Sequence, residues 1–217
     1  MIGRSTKKQP EALKTADHNM KLYYSPAACS LAPHIVAREA GLNIELEKVD
    51  LRSKKTESGR DYLGINPKGA VPALEIDDGK VLTENAVVLQ YLADKSPQMS
   101  LPKGMERWRL LELLHFIATE LHKGFAPLFD PRTDKERREI VTENLSKRFD
   151  ILERQLGDKP HLTGEQFTIA DAYAYTVLSW SKFHNIDMSR WPKLVAFIER
   201  VGARPAVREA RSKEGLP

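Results

Sequence analysis

The sequence predicts an α/β unit followed by an all-helical unit, on three observations. Between Met20 and Lys95, short apolar strands alternate with helical patterns and end in a hairpin. Residues 96–104 then carry Pro97, Pro102 and Gly104, a cluster that reads as a linker. From Met105 onward every apolar repeat has helical spacing. The expected organisation is a polar extension over 1–19, an α/β domain over 20–95, the linker, and a helical domain over 105–217.

Leu22-Tyr23-Tyr24 is a short buried-strand candidate. Cys29 to Ala40 is helical, because Leu31, Ile35, Val36 and Ala40 share one face and Gly41 supplies a stop. Pro33 falls in the first turn, where it needs no backbone donor. Ile44–Leu51 is a second strand, and the polar stretch Arg52–Tyr62 leads to a turn at Asn66-Pro67. Ala73–Ile76 and Val81–Thr83 form the hairpin, with Asp78-Gly79 suited to a tight primed turn. Ala86–Asp94 is a short helix. This order of strand, helix, strand, hairpin and helix matches a thioredoxin-like domain. Beyond the linker, Trp108–Phe125 is a long helix. Thr133–Leu156 is another, with Val141, Leu145, Phe149, Leu152 and Leu156 on one stripe. Thr168 is a helix N-cap, and Asp171 can reach back to it as a capping box. Trp191–Val201 and Pro205–Ala210 complete the helical set.

The chain has 217 residues, 41% hydrophobic and 29% charged, which suits globular domains. Met1–Asn19 is polar, with Arg4, Lys7, Lys8 and Lys14, and lacks the apolar core of a signal peptide. It reads as an added or mis-assigned extension before Met20, or alternatively as a docking arm. No apolar run reaches the roughly 18 residues of a membrane helix, so no membrane role is expected. The net charge of +4 is interleaved with acids, and no basic stripe with aromatics argues for nucleic acid. A single cysteine, Cys29, excludes an internal disulfide. No Cys/His spacing suits zinc, so no metal is expected, and a reducing cytoplasm is the simplest location.

Chemistry concentrates at three places. Val71-Pro72 stands just before a strand, where proline cannot donate a ladder bond. A cis bond there would turn the chain sharply and expose the Val71 backbone N–H and C=O. The hairpin then ends in an acid, Glu84, at a helix start. Exposed backbone, an acid and a helix N-terminus can together hold a small zwitterionic peptide. Cys29 sits directly after the first strand, at the N-terminus of the first helix. The orphan N–H groups there lower a thiol pKa and favour a reactive thiolate. An inert buried cysteine is the alternative reading. Third, His115 and His122 lie seven residues apart on one helical pattern. At 100° per residue they differ by only about 20°, so both are expected on one face. His122, with Lys123 beside it, could polarise or deprotonate a thiol.

From Met20 on, the sequence resembles the bacterial beta-class glutathione transferases. The resemblance runs through Met20-Lys21-Leu22-Tyr23-Tyr24, Ala28-Cys29-Ser30-Leu31-Ala32-Pro33-His34, Ile65-Asn66-Pro67-Lys68-Gly69 and Gln90-Tyr91-Leu92-Ala93-Asp94. It continues in Thr119-Glu120-Leu121-His122-Lys123-Gly124-Phe125 and Phe167-Thr168-Ile169-Ala170-Asp171-Ala172-Tyr173. It implies a homodimer that uses glutathione as cosubstrate. By this resemblance Cys29 lies beside the glutathione sulfur and can form a mixed disulfide with it. His122 is the active-site histidine, with Lys123 its neighbour. Lys54 meets the glycyl carboxylate, the Val71 backbone pairs with the cysteinyl unit, and Glu84 takes the γ-glutamyl ammonium. Two positions depart from the family. Asn85 replaces a usual Ser or Gly, although its amide can still donate to a carboxylate. His115 stands where an asparagine often reaches glutathione in the partner subunit.

The function expected is conjugation of glutathione to small electrophiles, with thiol–disulfide exchange through Cys29 as a second activity. The rival reading is a non-catalytic ligand carrier or interaction protein on the same scaffold.

Overall fold

The computed structural model describes residues 20–99 and 101–217, so the polar extension lies outside the described residues. Strand β1 (Met20–Tyr24) is followed by α1 (Leu31–Glu39) and by β2 (Ile44–Asp50), which lies parallel to β1. Strands β4 (Ala73–Glu75) and β5 (Val81–Thr83) form an antiparallel hairpin, with β4 against the other side of β1. A two-residue strand β3 (Lys55–Thr56) caps the far edge, and α2 (Asn85–Asp94) follows the hairpin. The sheet order is β3-β2-β1-β4-β5. This is a thioredoxin-like sheet followed by a helical domain, as expected.

Alternation along β1 explains how the sheet is buried on both faces. Met20, Leu22 and Tyr24 face the main core with α1 and α2. Tyr23 points the other way, into a smaller cluster with Val49, Tyr62, Val71 and Ala73. Helix α1 packs against α2 and also against two helices of the second domain, α6 (Ile169–Phe183) and α8 (Pro205–Lys213). The main core is therefore continuous across both domains. The loop between β1 and α1 lies beside that seam.

The helical region opens with α3 (Gly104–Phe116) and reaches α4 (Lys123–Phe129) through a π-helical stretch, Ile117–His122. Next come α5 (Lys135–Leu156) and, after α6, α7 (Pro192–Gly202). The five-residue stripe expected on α5 is buried throughout. Thr168 and Asp171 form the expected capping box.

Three local expectations are corrected. The hairpin is not closed by a two-residue primed turn. Asp77–Gly79 makes a 3-10 turn, and Gly79 alone takes a positive φ of 70°. Asp78 stays in the helical turn, so the loop is the three-residue type ending in a left-handed glycine. Strand β3 emerges from a stretch read only as polar loop. The expected single long helix is interrupted by π geometry, which changes the direction of the residues beyond it.

Candidate active site

Cys29 lies two residues before α1, whose cap position is Ser30. Its side chain is buried, and Sγ donates a hydrogen bond to the Val71 carbonyl at 3.1 Å. The Val71-Pro72 peptide bond is cis, as the sequence predicted. That turn carries the Val71 carbonyl to the cysteine. Tyr62 and Asn66 fix the preceding residue, both donating to the Ala70 carbonyl, at 2.8 and 2.7 Å. Lys54 Nζ donates to the Gly69 carbonyl at 2.7 Å, which places Lys54 against the same turn.

Non-glycine residues in left-handed conformations concentrate here. Ala27, Lys54 and Glu84 have φ values of 60°, 56° and 68°. Such backbone costs roughly 1–3 kcal/mol per residue, and it collects where a site over-determines the chain. Glu84 caps α2 and extends an exposed carboxylate, 2.5 Å from Lys68 Nζ. Lys68 also donates to Thr83 Oγ1 at 3.0 Å. The Lys68 ion pair, opposed by slight burial, holds the Glu84 carboxyl below its usual range. Lys68 had no role assigned from sequence, although its place in the Asn66–Gly69 turn was the available signal.

The thiol expectation is reversed. Burial pushes Cys29 up to about 12. The Cys29 and Ser30 backbone N–H groups and the Lys123 charge all act downward, as a helix N-terminus should. Desolvation is larger, because the thiolate would be shut away from water. In this structure Cys29 is a neutral thiol that donates a hydrogen bond.

Asn85 is also corrected. Its side chain is buried, and Nδ2 donates to the Cys29 carbonyl at 3.1 Å. The amide donor expected to meet a ligand carboxylate therefore holds the cysteine loop instead. Oδ1 is buried without a hydrogen-bond partner.

His122 and His115 do not share a face. The wider π turn advances less than 100° per residue, so the seven-residue spacing no longer returns to the same direction. His115 is exposed, and its ring Nδ1 lies 2.7 Å from the Leu111 carbonyl of its own helix. His122 is largely buried, with Nδ1 2.7 Å from the Tyr173 hydroxyl and its ring edge-on to Trp180 at 5.2 Å. Burial, then the neighbouring Lys123, lowers the His122 pKa to about 4, against an upward pull from Glu84. Lys123 itself is exposed. A groove of ≈ 310 Å³ bounded by Glu120, Lys123, Asn144 and Arg148 includes Lys123 but neither Cys29 nor Glu84. The mutual electrostatic influence of Cys29, Glu84, His122, Lys123 and Tyr173 marks a different, shared region.

Two supports of the cysteine loop were not legible in sequence. Trp180 Nε1 donates to the Ala27 carbonyl at 2.8 Å, and the Ala27 N–H donates to Glu214 Oε2 at 3.2 Å. Both come from the helical domain.

The family model for the glutathione S-transferase N-terminal domain matches residues 27–95, and that for the C-terminal domain matches 116–205. Glutathione S-transferase GstA of Escherichia coli O157:H7 is 46% identical over 200 residues, covering 91% of this chain and 100% of that protein. A sphingomonad glutathione S-transferase solved in complex with glutathione superposes with a TM-score of 0.87 at 44% identity, covering 91% of this chain and 100% of that one. A bacterial beta-class enzyme from Sphingomonas chungbukensis superposes with a TM-score of 0.87 at 43% identity, over 91% and 100% of the two chains. With both domains matched and the fold shared end to end, the chain belongs to the glutathione S-transferase family.

Proposed function

We propose that this glutathione transferase joins glutathione to small electrophiles through the thiolate of glutathione, with Cys29 as a neutral thiol beside it whose proton is held by the Val71 carbonyl. The observation that carries the reading is the junction of Cys29 Sγ, the Val71 carbonyl after a cis bond, and the left-handed Glu84 at the start of α2. The backbone at Val71 would pair with the cysteinyl unit. Glu84 would take the γ-glutamyl ammonium, and Lys54 the glycyl carboxylate. Lys68, already on Glu84, stands where it would meet the γ-glutamyl carboxylate. Lys123 adds positive charge beside the sulfur. In the reaction the glutathione sulfur attacks an electrophilic carbon, a C–S bond forms, and the leaving group departs with its electron pair. A chlorinated nitrobenzene would release chloride. Hydrogen bonds aimed at the sulfur would stabilise its charge.

Thiol–disulfide exchange through Cys29 needs its thiolate, which the burial of Sγ disfavours. Conjugation should therefore dominate. Steady-state assays with glutathione and a chlorinated nitrobenzene, beside a hydroxyethyl disulfide assay, test this. Greater turnover of the disulfide, abolished by Cys29→Ala, would reverse the assignment.

Glu84→Gln should raise the glutathione KM with little change in kcat, because an ammonium contact is made equally in ground and transition states. The loss should be about 1.5–3 kcal/mol. An unchanged KM would reduce Glu84 to a helix cap paired with Lys68.

We place the active form as a cytoplasmic homodimer. Met105 and Trp108 are 68% and 64% exposed on α3, an apolar face that a second copy would cover. His115 follows Trp108 by seven residues within regular α3, so it shares that face. It would reach a carboxylate of glutathione bound to the partner. His115→Ala should then weaken glutathione binding modestly and leave Cys29 reactivity unchanged. Loss of the dimer's sedimentation behaviour in Trp108→Glu checks the interface. No helix among the described residues is long and apolar enough to cross a membrane.

A further inference from the structure

Among the described residues, His122 has one polar side-chain contact. Its Nδ1 lies 2.7 Å from the Tyr173 hydroxyl, and the two rings meet edge-on with centroids 5.8 Å apart. Tyr173 is 1% exposed. It stands in the second turn of α6, just after the capping box. There Asp171 accepts from the Thr168 N–H at 2.7 Å and from the Leu162 N–H at 2.8 Å. The hydroxyl is thus carried on a fixed frame. Burial pushes its pKa upward, with the Asn85 amide opposing, so the phenol keeps its proton.

A buried O–H must find an acceptor. The Asn85 amide acts on the phenol oxygen as a donor, so the acceptor that the geometry offers for the Tyr173 proton is His122 Nδ1 at 2.7 Å. A neutral imidazole has one nitrogen that donates and one that accepts. If Nδ1 accepts from tyrosine, the ring proton is on Nε2. The depressed His122 pKa supports the neutral ring near physiological pH. A carboxylate in the place of Tyr173 would do the opposite. It would accept from Nδ1–H and leave Nε2 as a free lone pair, the arrangement of a general base. A phenol inverts that choice.

We propose that Tyr173 is a positioning residue that locks His122 in the Nε2–H tautomer, so that His122 serves the reaction as a neutral hydrogen-bond donor and not as a base. It follows that His122 does not remove the thiol proton of glutathione. Its Nε2–H would stabilise negative charge on the glutathione sulfur or on the departing group. This role rests on the conjugation reading above, whereas the tautomer assignment does not.

The test uses the full chain with ¹⁵N-labelled histidine and long-range ¹⁵N–¹H correlation spectra near neutral pH, without ligand. The expected His122 pattern is protonated Nε2 and unprotonated Nδ1. In Tyr173→Phe that preference should be lost, and kcat should fall about tenfold, with the glutathione KM nearly constant. His122→Gln retains an N–H donor at the Nε2 position but cannot act as a base. It should keep a kcat well above that of His122→Ala. A proton on Nδ1 in the wild type, an unchanged tautomer in Tyr173→Phe, or a His122→Gln enzyme as slow as His122→Ala would each overturn the proposal. Calorimetric titration with glutathione separates the two levels. A wild type with the Nε2–H pattern that neither binds glutathione nor turns over would sink the conjugation reading and leave the tautomer assignment supported.

Discussion

Iodoacetamide should modify Cys29 of the free protein about a thousandfold more slowly than an ordinary thiol at neutral pH. The thiol stands at about 12 against a reference of 9.0, and each unit removes about tenfold of the reactive thiolate. The physical contest is explicit. Helix α1 points its N-terminus at this residue, but Sγ is buried and already donates to the Val71 carbonyl. That bond is available only to the protonated form. The rate should climb with pH well past the point where a free thiol levels off. Stability carries the same signature. The folded pKa is raised above the unfolded one, so the protonated thiol contributes fully below about pH 9, and that contribution is lost as pH rises toward 12. Cys29→Ala should flatten the alkaline limb of the stability curve. Alkylation at the pace of free cysteine near pH 7 would show that the helix end wins over burial. The site would then be built for exchange chemistry.

Local sequence carried the succession of strand, helix, strand, hairpin and helix, the cis bond, the acid at the head of α2 and the capping box. Each is a short-range matter of turn chemistry or periodicity. Val71-Pro72 could be read because a proline before a strand has few allowed conformations. The histidine face could not be read in the same way. A helical wheel assumes 3.6 residues per turn throughout, and six residues of π geometry between His115 and His122 break that assumption. The sequence holds no proline or glycine inside Ile117–His122 to warn of it. The reactivity of Cys29 failed for another reason. Helix position is local and legible, but the depth of burial is set by Val71, Asn85 and the helical domain closing over the loop. Tyr173 was in view only as part of a motif, and its partner His122 lies fifty-one residues away. Lys68 was visible in the turn, yet its link to Glu84 depends on how the hairpin folds back.

Glu214→Ala should produce the largest loss of stability of any single side chain facing the cysteine loop. Glu214 follows α8, close to the end of the chain, where substitutions are usually tolerated. Here its carboxyl group and the His34 ring are both fully buried, with Nδ1 and Oε1 2.9 Å apart. The second carboxyl oxygen accepts from the N–H of Ala27, whose φ of 60° must be held by something outside the loop. Trp180 grips the carbonyl of the same residue. Removing the carboxylate would leave His34, whose Nε2 already lacks a partner, and the Ala27 N–H both unpaired. Each buried polar group left unpaired costs about 1–3 kcal/mol, so the two together cost several. At this chain length, that corresponds to a fall in Tm on the order of 10 °C. Glu214→Gln keeps the shape, an amide oxygen to accept from the Ala27 N–H, and an NH2 that can donate to His34 Nδ1 once the ring proton moves to Nε2, so it should lose less. Because Ala27 is two residues from Cys29, the alanine variant should also loosen the loop and admit iodoacetamide faster than the wild type does. Unfolding curves and alkylation rates for the two variants check both expectations. An alanine variant within about 1 kcal/mol of wild type, the range of an exposed pair, would mean that water replaces Glu214 without cost and that the loop is held by Trp180 alone.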